Sequence, residues 1–89
     1  MDSIIRLEID GELDLHTFSP RELGSLIPEY LRQCRKEGIR DVRIIHGKGT
    51  GALRRSVHAI LKGLDCVESF RLAGPDGGGW GATLVRLKK

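Results

Sequence analysis

Apolar and polar residues alternate at the start of the chain. Ile5, Leu7 and Ile9 stand against Arg6 and Glu8, and this period of two predicts a half-buried strand over residues 4–9. Asp10-Gly11 is a tight-turn pair, so the pattern predicts a hairpin into a second strand, Glu12 to His16. In that strand Leu13 and Leu15 share one face, and Glu12, Asp14 and His16 share the other. The period then lengthens. Leu23, Leu26, Ile27, Tyr30, Leu31 and Cys34 form one helical stripe. Ser19, Pro20 and Glu22 supply a cap, a first-turn proline and a capping-box acid, while Gly38 closes the helix in a left-handed cap. Pro28 is discordant, because it lacks a backbone donor and crowds the carbonyl of Gly24; a bend or break is expected there.

Val42 to His46 reads as a short central strand. A second helix carries Leu53, Val57, Ile60, Leu61 and Leu64 on one face, with Arg54, Arg55, His58 and Lys62 on its other sides. Val67 to Leu72 and Ala82 to Leu87 read as strands, separated by a breaker-rich loop containing Gly74-Pro75-Asp76-Gly77-Gly78-Gly79. The order β-β-α-β-α-β-β predicts an α/β fold: a two-layer sandwich of a mixed four- to five-stranded sheet with two helices. At 89 residues the chain makes one domain, expected to span 1–89, with a core that must use nearly every apolar residue.

Composition is that of an ordinary globular protein, with 39% hydrophobic and 30% charged residues. No apolar run approaches the roughly 18 residues of a membrane span, and the N-terminus lacks the layout of a secretory signal, so a cytoplasmic location away from membranes is expected. Cys34 and Cys66 form no C-x-x-C pair and read as small buried hydrophobes. Charge is unevenly spread. Residues 1–30 hold seven acids against two bases, whereas residues 31–89 hold thirteen bases against five acids. Such a chain can hold a polyanion and still place carboxylates beside it.

Three segments carry candidate chemistry. His46-Gly47-Lys48-Gly49-Thr50-Gly51 lies between a strand and a helix. Its glycines allow close backbone approach, the helix start offers N–H groups and a positive dipole end, and Lys48, Arg54 and Arg55 add charge. The spacing is neither that of a Walker loop nor that of a dinucleotide fingerprint, so the expected anion is a nucleic-acid backbone. Asp14 and His16, two apart on a strand, can orient a water, bind a metal or exchange a proton. Gly79 and Gly81 permit a second close approach, and the lone tryptophan between them, Trp80, either stacks on a base or sugar or caps the edge of the core. His58 sits at the border of an apolar helix face and reads as a boundary residue. No His–Cys cluster has zinc spacing.

The ordered trio Leu13-Asp14-Leu15-His16, His46-Gly47-Lys48-Gly49-Thr50-Gly51 and Gly78-Gly79-Trp80-Gly81-Ala82-Thr83 resembles the Smr (small MutS-related) domain, described by LDLH, HGxGxG and GGxGxT motifs. The resemblance spans about residues 12–88. It implies a two-layer α/β domain that binds DNA or RNA and, in several members, nicks DNA or cleaves RNA without strong sequence preference. Carried over by motif, Asp14, His16 and His46 are the catalytic candidates. Gly47, Lys48, Gly49, Thr50 and Gly51, with Arg54, Arg55, Gly79, Trp80 and Gly81, form the phosphate-facing surface. Where a divalent metal takes part, a carboxylate-poor site suits one loosely held Mg²⁺ or Mn²⁺ beside Asp14. A monomer is expected. Thr17 departs from the glycine that usually follows the first motif, and it stiffens the backbone after His16. The alternative is a non-catalytic DNA- or RNA-binding module of repair, recombination or RNA metabolism.

Overall fold

The structure, a computed structural model, describes residues 8–49, 51–74 and 81–89. Four strands form one mixed sheet: β1 (Glu12–Asp14), β2 (Asp41–Ile45), β3 (Val67–Leu72) and β4 (Ala82–Leu87), in the order β1-β2-β4-β3. β1 pairs with β2 in parallel, and β4 pairs antiparallel with both β2 and β3. β2 is therefore interior, as its apolar composition predicts. Helices α1 (Leu23–Lys36) and α2 (Ala52–Lys62) are the β1–β2 and β2–β3 connections.

Alternation decides which sheet face is covered. Leu13, Val42, Ile44, Val85 and Leu87 are buried among Leu23, Leu26, Ile27, Tyr30, Leu31 and Cys34 of α1 and Val57 and Leu61 of α2. Both helices thus pack on one face, which makes two layers. The other face carries Arg43 paired with Glu12, and Arg86 paired with Asp41 at 2.7 Å. These pairs are substantially solvated and add little stability.

Several local readings hold. Gly38 has φ +80°, and the amides of Gly38 and Ile39 bond the carbonyls of Arg35 and Cys34 at 3.1 and 2.9 Å. That is a Schellman closure, which satisfies orphan helix carbonyls. Glu22 returns to the Ser19 amide at 2.9 Å, though the segment it closes is a 3₁₀ turn, Pro20–Glu22, leading into α1. Cys34 is fully buried, but Cys66 is only partly so.

Two expectations are corrected. α1 runs unbroken through Pro28. Gly24, whose carbonyl loses its partner, is exposed and can turn to water, while buried Leu26, Ile27, Tyr30 and Leu31 on both sides of Pro28 hold the helix to the core. β1 is also shorter than expected, and the first strand of the expected hairpin lies mostly outside the described residues. Glu8 and Ile9 carry no strand, residues 4–7 lie outside the description, and β1 stops at Asp14, short of His16.

A tertiary contact holds the start of β1. The Tyr30 phenol accepts from the Gly11 amide at 3.1 Å and reaches the Glu12 carbonyl at 3.1 Å, while the Gly11 carbonyl takes the Arg43 amide at 2.7 Å. α1 thereby clamps the start of β1 against β2. Tyr30→Phe strands the buried Gly11 donor and is expected to cost about 1–3 kcal/mol, read as a lower urea midpoint. Burial, with the nearby Cys34 thiol second, pushes the Tyr30 pKa up to about 12. A raised folded pKa gives stability that is whole below the ordinary value near 10 and is lost as pH rises through about 12. The phenylalanine variant should lack that alkaline step.

Candidate nucleic-acid interface

The C-terminal ends of β1 and β2 and the start of β4 meet at one end of the sheet. The last β1–β2 bond runs from the Leu15 amide to the Ile45 carbonyl at 2.9 Å. β2 then delivers His46, and the amides of His46 and Gly47 both reach the Gly81 carbonyl at 2.9 Å. A β-carbon at Gly81 would lie 3.5–3.6 Å from Lys48 and Gly47, so the two glycine segments are in van der Waals contact.

α2 begins directly behind this loop. Gly51 is its N-cap, with φ +88°. A β-carbon there would fall 3.1 Å from the Arg54 guanidinium, so a side chain would be strained and would also displace that arginine. The first turn of α2 carries no acid, and it includes Arg54 and Arg55. Backbone amides, a positive dipole end and guanidinium charge converge here. They border a cleft of about 360 Å³ lined by His46, Gly47, Gly49, Gly51 and Arg54, with Pro20 opposite. Such a cleft suits a phosphate.

His46 is only 7% exposed. Its Nδ1 lies 3.0 Å from the Gly47 carbonyl and its Nε2 2.8 Å from Thr83 Oγ1. Both ring nitrogens are engaged, so the ring braces the loop from beneath. Thr83 in turn meets His58 Nε2 at 2.8 Å, and the His58 ring leans on Phe70 at a centroid separation of 4.9 Å. His58 therefore belongs to the site and is more than a boundary residue. The signal in the sequence was weak: His58 falls one turn beyond Arg54, and only the packing of α2 on β4 brings it to Thr83.

Asp14 and His16 are placed differently. Alternation puts Asp14 on the sheet face away from His46, where it lines a separate cleft of about 260 Å³ with Glu8, Asp10, Glu12 and Thr17. Its Oδ1 accepts the His16 backbone amide at 2.9 Å rather than the imidazole. His16 itself stands exposed in a turn at the loop end of the sheet, and its ring has no partner among the described residues. No group of three or more His, Cys, Asp or Glu side chains that could hold a metal occurs among the described residues.

Of the other predicted phosphate contacts, Lys48 and Arg55 are exposed beside the loop. Thr50, Gly79 and Trp80 lie outside the described residues. The positive charge is divided between two ends of the molecule. Opposite the loop, Arg32, Arg35, Lys36, Arg40, Lys88 and Lys89 line a cleft of about 470 Å³.

The chain is similar to known proteins in sequence and fold. The family model for the Smr domain matches residues 13–88. The crystal structure of the Smr domain of Thermus thermophilus MutS2 superposes with a TM-score of 0.83 at 38% identity, covering 90% of this chain and 100% of that one. YdaL, a stand-alone small MutS-related protein from Escherichia coli, superposes with a TM-score of 0.78 at 33% identity, covering 89% of this chain and 65% of that one. The protein named Endonuclease MutS2 in Thermomicrobium roseum is 39% identical over 80 residues, which are 90% of this chain and 10% of the relative. Its namesake in Brevibacillus brevis is 42% identical over 80 residues, with the same coverage. The chain thus spans about a tenth of the length of these relatives. No helix among the described residues is long and apolar enough to cross a membrane.

Proposed function

This chain belongs to the Smr domain family, and on that premise we propose that it binds a DNA or RNA strand and hydrolyses a phosphodiester in it. One observation carries the reading: the acid-free start of α2 and residues Gly47, Gly49, Gly51 and Arg54 line one cleft of about 360 Å³. The naming of its relatives as endonucleases supports the hydrolytic half.

In that reaction water attacks phosphorus and the P–O bond to a sugar oxygen breaks. A base takes one proton from the water, and an acid gives one to the leaving oxygen. His16 suits the proton transfers, because an imidazole can both accept and donate a proton and this one is exposed to substrate. Asp14 holds the turn that presents His16 and keeps one carboxylate oxygen for a water or a hydrated Mg²⁺ or Mn²⁺. A metal there would make its bound water easier to deprotonate. Lys48, Arg54, Arg55 and the α2 amides offset the charge that builds on the phosphoryl oxygens.

A binding module without chemistry is the second reading. It is favoured by His46, whose ring is buried and committed at both nitrogens. A supercoiled-plasmid assay with Mg²⁺, Mn²⁺ or chelator separates the two, run beside strand retention at 50 and 200 mM salt. Conversion to open circle is expected, with retention falling steeply as salt rises. Retention without nicking would leave the binding module. Salt-insensitive or absent retention would remove both readings.

A further inference from the structure

Thr83 is fully buried, and its hydroxyl stands between two imidazoles, with His46 Nε2 and His58 Nε2 each 2.8 Å from Oγ1. A hydroxyl has one proton to give. The direction of this chain follows from the other end of His46. Its Nδ1 faces the Gly47 carbonyl at 3.0 Å, which can only accept, so Nδ1 carries a proton. In neutral His46, Nε2 is therefore bare and accepts from Thr83, and Thr83 accepts from His58 Nε2–H. When His46 gains a second proton the chain reverses. His46 Nε2–H then donates to Thr83, Thr83 donates to His58 Nε2, and the His58 proton sits on Nδ1.

Both arrangements satisfy every group. Charging both rings does not. It would aim two donors at the hydroxyl, leave the buried Thr83 proton without an acceptor, and set two cations with ring centroids 6.3 Å apart.

We propose that His58 is a positioning residue for His46: through the Thr83 hydroxyl it fixes His46 as the Nδ1–H tautomer, lets the two rings carry one proton between them, and so holds the glycine loop in its phosphate-receiving shape. The effect on nucleic acid rests on the function proposed above, whereas the hydrogen-bond arrangement stands by itself. The groups facing His58 agree. Arg54 and Lys62 lie one turn to either side on α2, His46 and Thr83 face it from the β2 end and β4, and Phe70 faces it from β3. Burial first, then the charges of His46, Arg54 and Lys62, hold the His58 pKa below its ordinary value. A second charge on the pair is therefore disfavoured at His58, and titration belongs to the two rings together.

The test is long-range ¹H–¹⁵N NMR of the histidines between pH 5 and 8, in wild type, Thr83→Val, Thr83→Ser and His58→Gln. Wild type should show neutral His46 as the Nδ1–H form, with both rings responding to a common pair of midpoints. Valine at 83 should uncouple them, and serine should keep the coupling. Glutamine at 58 supplies a donor and an acceptor but does not titrate, so His46 should show one midpoint. A neutral His46 carrying its proton on Nε2, or independent titration of the two rings in wild type, would overturn the proposal. So would coupling that survives valine.

Strand retention adds a second readout. His58→Phe should weaken it about five- to tenfold, the size of one lost hydrogen bond, while His58→Gln should stay close to wild type. Equal losses in both would reduce His58 to packing and sink its positioning role. If wild type retains no nucleic acid, the proposed function fails while the NMR result still decides the relay.

Discussion

His16→Ala should lower plasmid nicking by about 10²- to 10⁴-fold, the usual contribution of a positioned acid or base. The fold should not change, because the side chain is exposed and its ring makes no hydrogen bond or ring pair among the described residues. Strand retention should persist, since the phosphate cleft is built from the other loop and from α2. Asp14→Ala should act through the same turn. It frees the His16 amide from its 2.9 Å bond and removes the carboxylate oxygen beside the reacting water. Its loss should be of similar order, with wild-type retention and an altered response to Mg²⁺ or Mn²⁺. Should both variants nick at the wild-type rate, the chemistry lies elsewhere, and the glycine loop alone would remain as the binding surface. Lost retention in both would point to collapse of the β1 turn rather than to lost chemistry.

Ile44→Ala should be the most destabilising of these changes. Ile44 is fully buried in the interior strand β2, in register with Leu13 on one side and Thr83 on the other. Truncation removes buried methyl groups from the layer that supports the glycine loop, and the central sheet has little freedom to close the cavity. A cost of about 2–5 kcal/mol follows. An 89-residue domain holds on the order of 4–13 kcal/mol in total. The melting temperature should therefore fall by some 10 °C or more. Urea titration and a thermal melt measure it directly. A loss under about 1 kcal/mol would mean that the core around Ile44 relaxes far more readily than a close-packed interior does.

The stability and the chemistry of this protein meet on the same strands. Val42 and Ile44 build the core, and two residues after Ile44 the same face of the chain presents His46 under the loop. Thr83 does the same on β4, one residue after the strand begins and two before buried Val85. Damage to the sheet should thus reach the cleft before the whole domain unfolds, which binding measured across the melting curve of Ile44→Ala would reveal.

Local rules determined much of this protein from sequence. The two helical stripes, the Gly38 closure, the interior character of β2 and the strand–glycine loop–helix passage from His46 to Arg54 each depend on residues close in the chain. Periodicity and turn chemistry reach that far. Tertiary structure decided the rest. Parallel pairing of β1 with β2 depends on Tyr30, whose phenol ties Gly11 and Glu12 from nineteen and eighteen residues away. α1 passes through Pro28 because burial on both sides outweighs one missing hydrogen bond. Asp14 and His16 are two apart, yet the carboxylate holds a backbone amide because the strand ends between them. The Thr83–His58 contact spans 25 residues and exists only where α2 packs over β4. No pattern along the chain encodes such a meeting, because hydrogen bonds between distant side chains follow from how elements pack and not from their spacing.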